Sequence, residues 1–234
     1  MTWRSIIGFV TVALLVSSGA EAASLEFSPV RVEMRPGQTA TTIELHNLGA
    51  TVAVQVRPYL WTQRGDIDEL NPTSDLVVSP PIFTIPEGET QVVRLLVRVA
   101  SGNTEQAFRL IFDELPQPGS GRPIVTALRA SIPAFYDPPG VTADHLEWKA
   151  EHGSQGLLLA AQNTGGRSAR LKVSADLPGG HGSVLIPLGK DPNVLAGATR
   201  HWSVPNGGIA PGSALTLHVT TNAGTREETV TLPR

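Results

Sequence analysis

Six histidines, His46, His145, His152, His181, His201 and His218, are the side chains most able to bind a metal or move a proton, and they are scattered along the chain. None has a second histidine or a carboxylate at metal-ligand spacing in a segment that would hold it, so the chain carries no metal signature. Nucleophilic chemistry has no better support. There is no cysteine, no G-x-S-x-G elbow, no phosphate-cradling G-x-x-x-x-G-K-[ST] and no dinucleotide glycine pattern. Gly189-Lys190 is followed by Asp191, which breaks even the short likeness to a phosphate loop. Asp113 and Glu114 are adjacent, and neighbours on a strand point to opposite faces, so they make no acid–base pair. The expectation is a protein without catalysis and without a cofactor.

The arginines are more informative. Arg31, Arg94, Arg98, Arg109 and Arg129 all interrupt apolar runs. Arg98 and Arg129 read as outward, solvated charges. Arg31 in "SPVRVEM" and Arg94 in "QVVRLLV" have apolar neighbours on both sides, which predicts half-buried sites wanting an anion. A partner's carboxylate would suit the guanidinium fork.

The elements that must position these residues read as strands throughout. "LEFSPVRVEM", "TATTIELHN", "TVAVQVRPYLWTQ", "DLVVSPPIFTI", "TQVVRLLVRV", "EQAFRLIFDEL" and "PIVTALRASIPAFYDPPG" give seven β runs before Gly140. Turn sequences such as "RPGQ", "NLGA", "PEGE" and "QPGSGRP" separate them at the spacing of an antiparallel sandwich. Pro80-Pro81 puts the fourth run on an edge or makes it switch sheets. From Ile124 to Tyr136 the chain reads as a single strand spanning roughly 43 Å, about twice the usual length. Both its even row (Ile124, Thr126, Leu128, Ala130, Ile132) and its odd row are largely apolar, so something should cover both faces. After Asp137–Gly140 a shorter, glycine-richer strand series follows. A boundary near Pro138 predicts domains of about 115 and about 95 residues, ordinary sizes for sandwiches.

The first 22 residues place Arg4 before the apolar run Ile6–Val16 and end in Ala20-Glu21-Ala22. That is the pattern of a secretory signal peptide, cleaved near Ala22 or Ala23. A membrane anchor needs about 20 apolar residues, and no later segment is apolar enough to span a bilayer. The net charge of −3 argues against a nucleic-acid partner. With no cysteine to cross-link it, the exported chain must be held by core burial.

Taken in order, "SPVRVEM", "IELHN", "SPPIFTIPEGETQVVRL", "EQAFRLIFDELP" and a long strand ending "IPAFYDPPG" resemble the periplasmic pilus-assembly chaperones of the chaperone-usher pathway, in particular the archaic branch serving spore-coat-U-type pilins. The resemblance covers nearly the whole first domain; the second matches in size and strand pattern. It implies an all-β protein of two immunoglobulin-like β-sandwich domains in an L or boomerang arrangement. Residues 1–22 would be the signal peptide, 23–137 the chaperone domain and 138–234 the second sandwich. The implied function is to bind, fold and cap pilin subunits by lending them a strand, and to deliver them to an outer-membrane usher. Ile124, Thr126 and Leu128 match the alternating donor residues, with Ala130 and Ile132 continuing the row; Thr126 departs from the larger apolar residue usual there.

Arg31 matches the family's first-strand arginine, which together with a last-strand lysine grips the subunit's terminal carboxylate. The lysine's position is Pro133 here, so Arg94 and Arg109 are the candidate substitutes. Arg109 lies in the run just before the donor strand, which a hairpin would place beside it. Glu105 matches an interdomain carboxylate whose usual arginine partner is Asp137 in this chain. Two rival readings are an exported pilus subunit or adhesin, and a secreted hydrolase.

Overall fold

The structure is a computed structural model, and it describes residues 24–98, 102–115, 128–153, 156–176, 182–189, 191–204 and 209–234. Residues 1–22 of the expected signal peptide, and Ile124 and Thr126 of the expected donor row, lie outside the described residues.

Among the described residues, ten strands precede Gly140: β1 (Leu25–Ser28), β2 (Val32–Met34), β3 (Ala40–Asn47), β4 (Val52–Arg64), β5 (Ile67–Pro72), β6 (Leu76–Ser79), β7 (Ile82–Ile85), β8 (Thr90–Val97), β9 (Gln106–Leu115) and β10 (Arg129–Tyr136). They form two sheets, one ordered β1-β3-β8-β6 and the other β2-β10-β9-β4-β5 with β7 also on β4. Two runs that the sequence presents as single strands each divide between the sheets. "LEFSPVRVEM" crosses after Ser28, and the fourth run switches at Pro80-Pro81, as that doublet predicts. Alternation builds the core: Val93, Leu95 and Val97 of β8 with Ile43 and Leu45 of β3 from one sheet join Phe108, Leu110 and Phe112 of β9 with Val54 of β4 from the other in a single cluster.

Nine strands follow among the described residues: β11 (Leu146–Gly153), β12 (Gly156–Asn163), β13 (Ala169–Arg170), β14 (Lys172–Asp176), β15 (Ser183–Leu185), β16 (Asn193–Val194), β17 (Thr199–Val204), β18 (Ala214–Thr221) and β19 (Gly224–Thr231). Their sheets are β11-β12-β17, β13-β16 and β15-β14-β18-β19, and none of these described sheets mixes strands from the two series. The molecule is therefore two immunoglobulin-like β-sandwiches, each with its own core. The second core also takes in Trp61, Ala107 and Phe135 from the outer face of the first domain's β4-β9-β10 sheet. That face is thus covered at one end by the second sandwich.

Each sandwich pins a corner with one buried asparagine. The Asn47 amide donates to the Ala50, Ile85 and Pro86 carbonyls at 2.9, 3.0 and 3.2 Å, and its Oδ1 accepts from Gly49 N–H. Asn163 donates to Arg167 and Val194 carbonyls at 2.7 and 3.0 Å and accepts from the N–H groups of Gly165 and His145. The backbones match as well: Asn47 N–H donates to Glu89 C=O and Gly88 N–H to Asn47 C=O, as Asn163 does with Ala198 and Gly197. Both asparagines are fully buried, so truncation strands several backbone groups without water. Asn47→Ala and Asn163→Ala should each cost about 3 kcal/mol in denaturant unfolding. A loss under about 1 kcal/mol would show that water replaces the amide.

Candidate functional site

The described part of the expected long strand is β10, and among the described residues it is free on one side over part of its length. β10 pairs antiparallel with β9 along its whole length, from Arg129↔Asp113 to Tyr136↔Gln106, but meets β2 only at Ala134–Tyr136. Among the described residues, no strand lies beside Arg129–Pro133 on the β2 side. Pro133 stands one residue before the β2 register, where a missing N–H costs no ladder bond to that neighbour. The chain approaches this edge through Leu128, which is half-buried. Its N–H donates to the Glu114 carboxylate at 2.9 Å and its carbonyl accepts from Glu114 N–H at 2.9 Å.

The donor row divides along the strand. Ile132 is 4% exposed and belongs to the chain's own first core, with Ala130 packed against it. The expectation that Ala130 and Ile132 enter a partner is corrected: they oppose Phe112 and Leu110 on the inward face, and alternation commits them to that core. Of the five row residues, Leu128 is the one described residue left outside it.

A second correction concerns Arg94. Its flanking residues Val93 and Leu95 are buried, and Arg94 itself is exposed on the outer face of β8. Its buried neighbours therefore put Arg94 on the outer face of its sheet, because adjacent residues on a strand face opposite ways. β8 is also in the sheet that does not contain β10. Arg98 and Arg129 are exposed; Arg129 and Arg57 both bond Asp113 at 2.5 Å. These two hydrogen bonds, the one from Arg129 leading, hold the Asp113 carboxyl below its ordinary range.

Arg31 and Arg109 are brought together. Arg109 is directly opposite Pro133 in the β9–β10 register, so its side chain leaves on the same face as the proline. Arg31 immediately precedes β2. Both guanidiniums lie over aromatic rings, Arg31 4.0 Å from the Phe135 centroid and Arg109 3.8 Å from that of Trp61, and the two rings are 6.0 Å apart. The stacking fixes two long cations in a half-buried place. Burial, then the nearness of Arg31, pushes the Arg109 pKa below its ordinary value, with Asp68 opposing.

The second sandwich closes over this pair. Arg109 bonds the Asp191 carboxylate, Asp191 accepts from the Asn193 amide, and Asn193 Oδ1 accepts from Arg31 at 3.3 Å. Arg31 also bonds Glu33 at 2.6 Å. Gln63 at the tip of β4 grips β16 by donating to Asn193 C=O at 3.0 Å and accepting from Leu195 N–H at 2.9 Å. The β4–β5 hairpin adds Asp68 to Arg200 at 2.8 Å and Asp66 to His201 N–H at 2.7 Å.

On the other side of the junction, Glu105 and Asp137 both reach the second sandwich, by separate contacts. Glu105 accepts from Ser168 N–H at 3.0 Å, and its own N–H donates to Gly166 C=O at 2.8 Å. Asp137 bonds Arg167 at 2.8 Å, so the cation of this bridge comes from the second domain. Desolvation pushes the Glu105 carboxyl up to about 7, with Asp137 adding repulsion and the Ser168 bond opposing. Folding therefore favours the protonated acid. The stability that Glu105 contributes is complete below its unfolded pKa of about 4.3 and is lost as pH rises through about 7. Glu105→Gln should flatten the fall in melting temperature between pH 5 and 7.5 and raise stability at pH 8. An unchanged pH profile in the mutant would assign the titration to another group.

Comparison with known proteins agrees with this architecture. No curated protein sequence matches the chain. Among solved structures, a chain of the chaperone–tip subunit pre-assembly complex from the archaic chaperone-usher Csu pili of Acinetobacter baumannii is similar over 90% of this chain and 99% of its own, with a TM-score of 0.67 and 24% identity. The YadV chaperone is similar over 89% and 99%, with a TM-score of 0.64 and 19% identity. A chain of the Salmonella enterica SafA pilin–SafB chaperone complex is similar over 91% and 97%, with a TM-score of 0.61 and 16% identity. Residues 24–142, just over half of the chain, match the family described as "Pili and flagellar-assembly chaperone, PapD N-terminal domain". This protein belongs to that family, the pilus-assembly chaperones of the chaperone-usher type, which are not enzymes.

Proposed function

We propose that this protein binds a pilin subunit by pairing it with the free edge of β10, caps it in the periplasm and delivers it to an outer-membrane usher of the archaic type. The observation that carries the reading is the unpaired stretch Arg129–Pro133 ending beside two stacked arginines. On this reading, residues 1–22 direct export and are removed, residues 23–137 hold the subunit, and residues 138–234 close the arginine site.

The physics of the edge supports it. An unpaired strand edge is a template for another chain, and β-strand addition draws affinity from main-chain hydrogen bonds and specificity from alternate side chains. A strand added beside Arg129–Pro133 runs into β2, which already occupies Ala134–Tyr136. It must stop next to Arg31 and Arg109, and a terminal carboxylate is the group that two guanidiniums at a strand end would hold. Leu128 lies beyond the chain's own core, and on this reading it fills a subunit's groove together with Ile124 and Thr126, which precede it in the sequence. Replacing this strand by a better-fitting strand of the next subunit would release free energy, so assembly needs no nucleotide.

Co-expression with a groove-bearing pilin from the same operon tests the reading: the pilin should stay soluble in a one-to-one complex. Leu128→Glu should abolish that complex, since it replaces apolar burial of about 2 kcal/mol by a desolvated charge, while the free chaperone keeps its melting temperature. Arg31→Ala and Arg109→Ala should each cost about 2 kcal/mol or more of pilin affinity, and Arg94→Ala should cost nothing measurable. Pilin that aggregates equally with and without the protein would sink the proposal.

A further inference from the structure

In this chain the arginine site is already filled by the chain's own carboxylate. Arg109 is bonded to Asp191, and the second oxygen of that carboxylate accepts from the Asn193 amide, whose own oxygen accepts a hydrogen bond from Arg31 at 3.3 Å. The Arg31 and Arg109 side chains are only 17% and 12% exposed, and the remaining bond of Arg31 goes to Glu33. A carboxylate and a carboxamide therefore span the space between the two guanidiniums, entering from the segment that leads into β16 (Asn193–Val194). Neither cation is available to an incoming anion while this arrangement holds.

From this we infer that Asp191 is a resident competitor for the carboxylate site, displaced from Arg109 when a subunit's terminal carboxylate docks. The inference rests on the strand-addition reading above and adds to it a residue that sets how selective the site is. Two half-buried guanidiniums with no anion would repel each other and be poorly solvated. Asp191 and Asn193 remove that cost in the free protein. Because Asp191 is tethered, it competes at a high effective concentration. A small free carboxylate lacks the means to displace it. A strand that also gains main-chain bonds along Arg129–Pro133 has them. The site then accepts a carboxylate only when it arrives at the end of an added strand.

Displacement also breaks one of the ties between the sandwiches, because Arg109 is on β9 and Asp191 is beyond the domain junction. The Gln63 grip on Asn193 and Leu195 and the Asp68–Arg200 bond are separate contacts and stay. Asp191 can therefore leave Arg109 without the domains parting.

Asp191→Asn keeps the shape of the side chain and an oxygen for Asn193 while removing the competing charge. Affinity for the pilin from the same operon should tighten about tenfold, the gain expected when the competent state rises from about a tenth to nearly all of the molecules. In an Arg109→Ala background the same substitution should change affinity less than about twofold, since nothing remains to compete for. Unchanged or weaker binding by Asp191→Asn, with Arg109→Ala still weak, overturns the inference and leaves the strand-addition reading standing. Full-strength binding by Arg109→Ala overturns the arginine site and this inference with it. Should Asp191→Asn not fold, Asp191→Ser carries the same comparison, and its expected gain is the same.

Discussion

The crossing of the first strand from one sheet to the other is the constraint on which the rest of the structure depends. The chain leaves the β3 edge after Ser28 and joins β10 at Val32, in parallel, for only three residues. Had it stayed in one sheet, β10 would be bare along its full length; had β2 been longer, β10 would have no free edge. Among the described residues, the short β2 leaves Arg129–Pro133 open and covers Ala134–Tyr136, with Arg31 at the point of change. One topological event thus makes both an uncovered stretch of edge and a cation at its end. The rest of β10 is protected, because an uncovered edge of full length would invite nonspecific pairing.

Charge at the junction follows a consistent rule: the cations there face carboxylates from the same chain. Arg31 has Glu33, Arg109 has Asp191, Arg200 has Asp68 and Arg167 has Asp137. Partly buried pairs of this kind add little net stability, because desolvation offsets most of the attraction. Their value is geometric, since removing either partner leaves a charge without water. The two sandwiches are consequently held in register by several contacts, each weak alone, whereas Trp61, Ala107 and Phe135 supply apolar burial under them. A junction built this way can exchange one anion for another at little cost in total energy, provided the newcomer matches the geometry.

The sequence makes the strands and the sheet switch at Pro80-Pro81 legible, because period-2 alternation and proline's missing N–H are local signals. The first crossing leaves a fainter trace: in "LEFSPVRVEM" the inward positions shift phase at Pro29, from Leu25 and Phe27 to Val32 and Met34, and reading the run as one strand passes over that shift. β5 is missed for a different reason: "IDELNP" has little β propensity, and its signal is the two-residue Gly65-Asp66 turn between paired Arg64 and Ile67. The corner asparagines show a kinship between the domains in "HNLG" and "QNTG", too short to stand out without the hydrogen bonds. Arg94 shows how a sound observation, apolar residues on both sides, yields the wrong face when the alternation is not carried through. For Arg109 the argument is a different one: the hairpin register, rather than its neighbours, decides where it points.

Pro133 and Arg109 are best understood as one unit. A cation on β10 itself would leave the strand from the residue that borders the β2 ladder. A proline there can neither carry charge nor donate, yet it suits a position just before the ladder begins. Its cross-strand neighbour on the same face is Arg109, with Cβ atoms of such pairs about 5 Å apart, so an arginine's length more than spans the offset. Trp61, on the strand beyond, then provides the ring over which the guanidinium lies 3.8 Å from the centroid. The cation beside Pro133 thus sits one strand over, and its direction is set by the stacking.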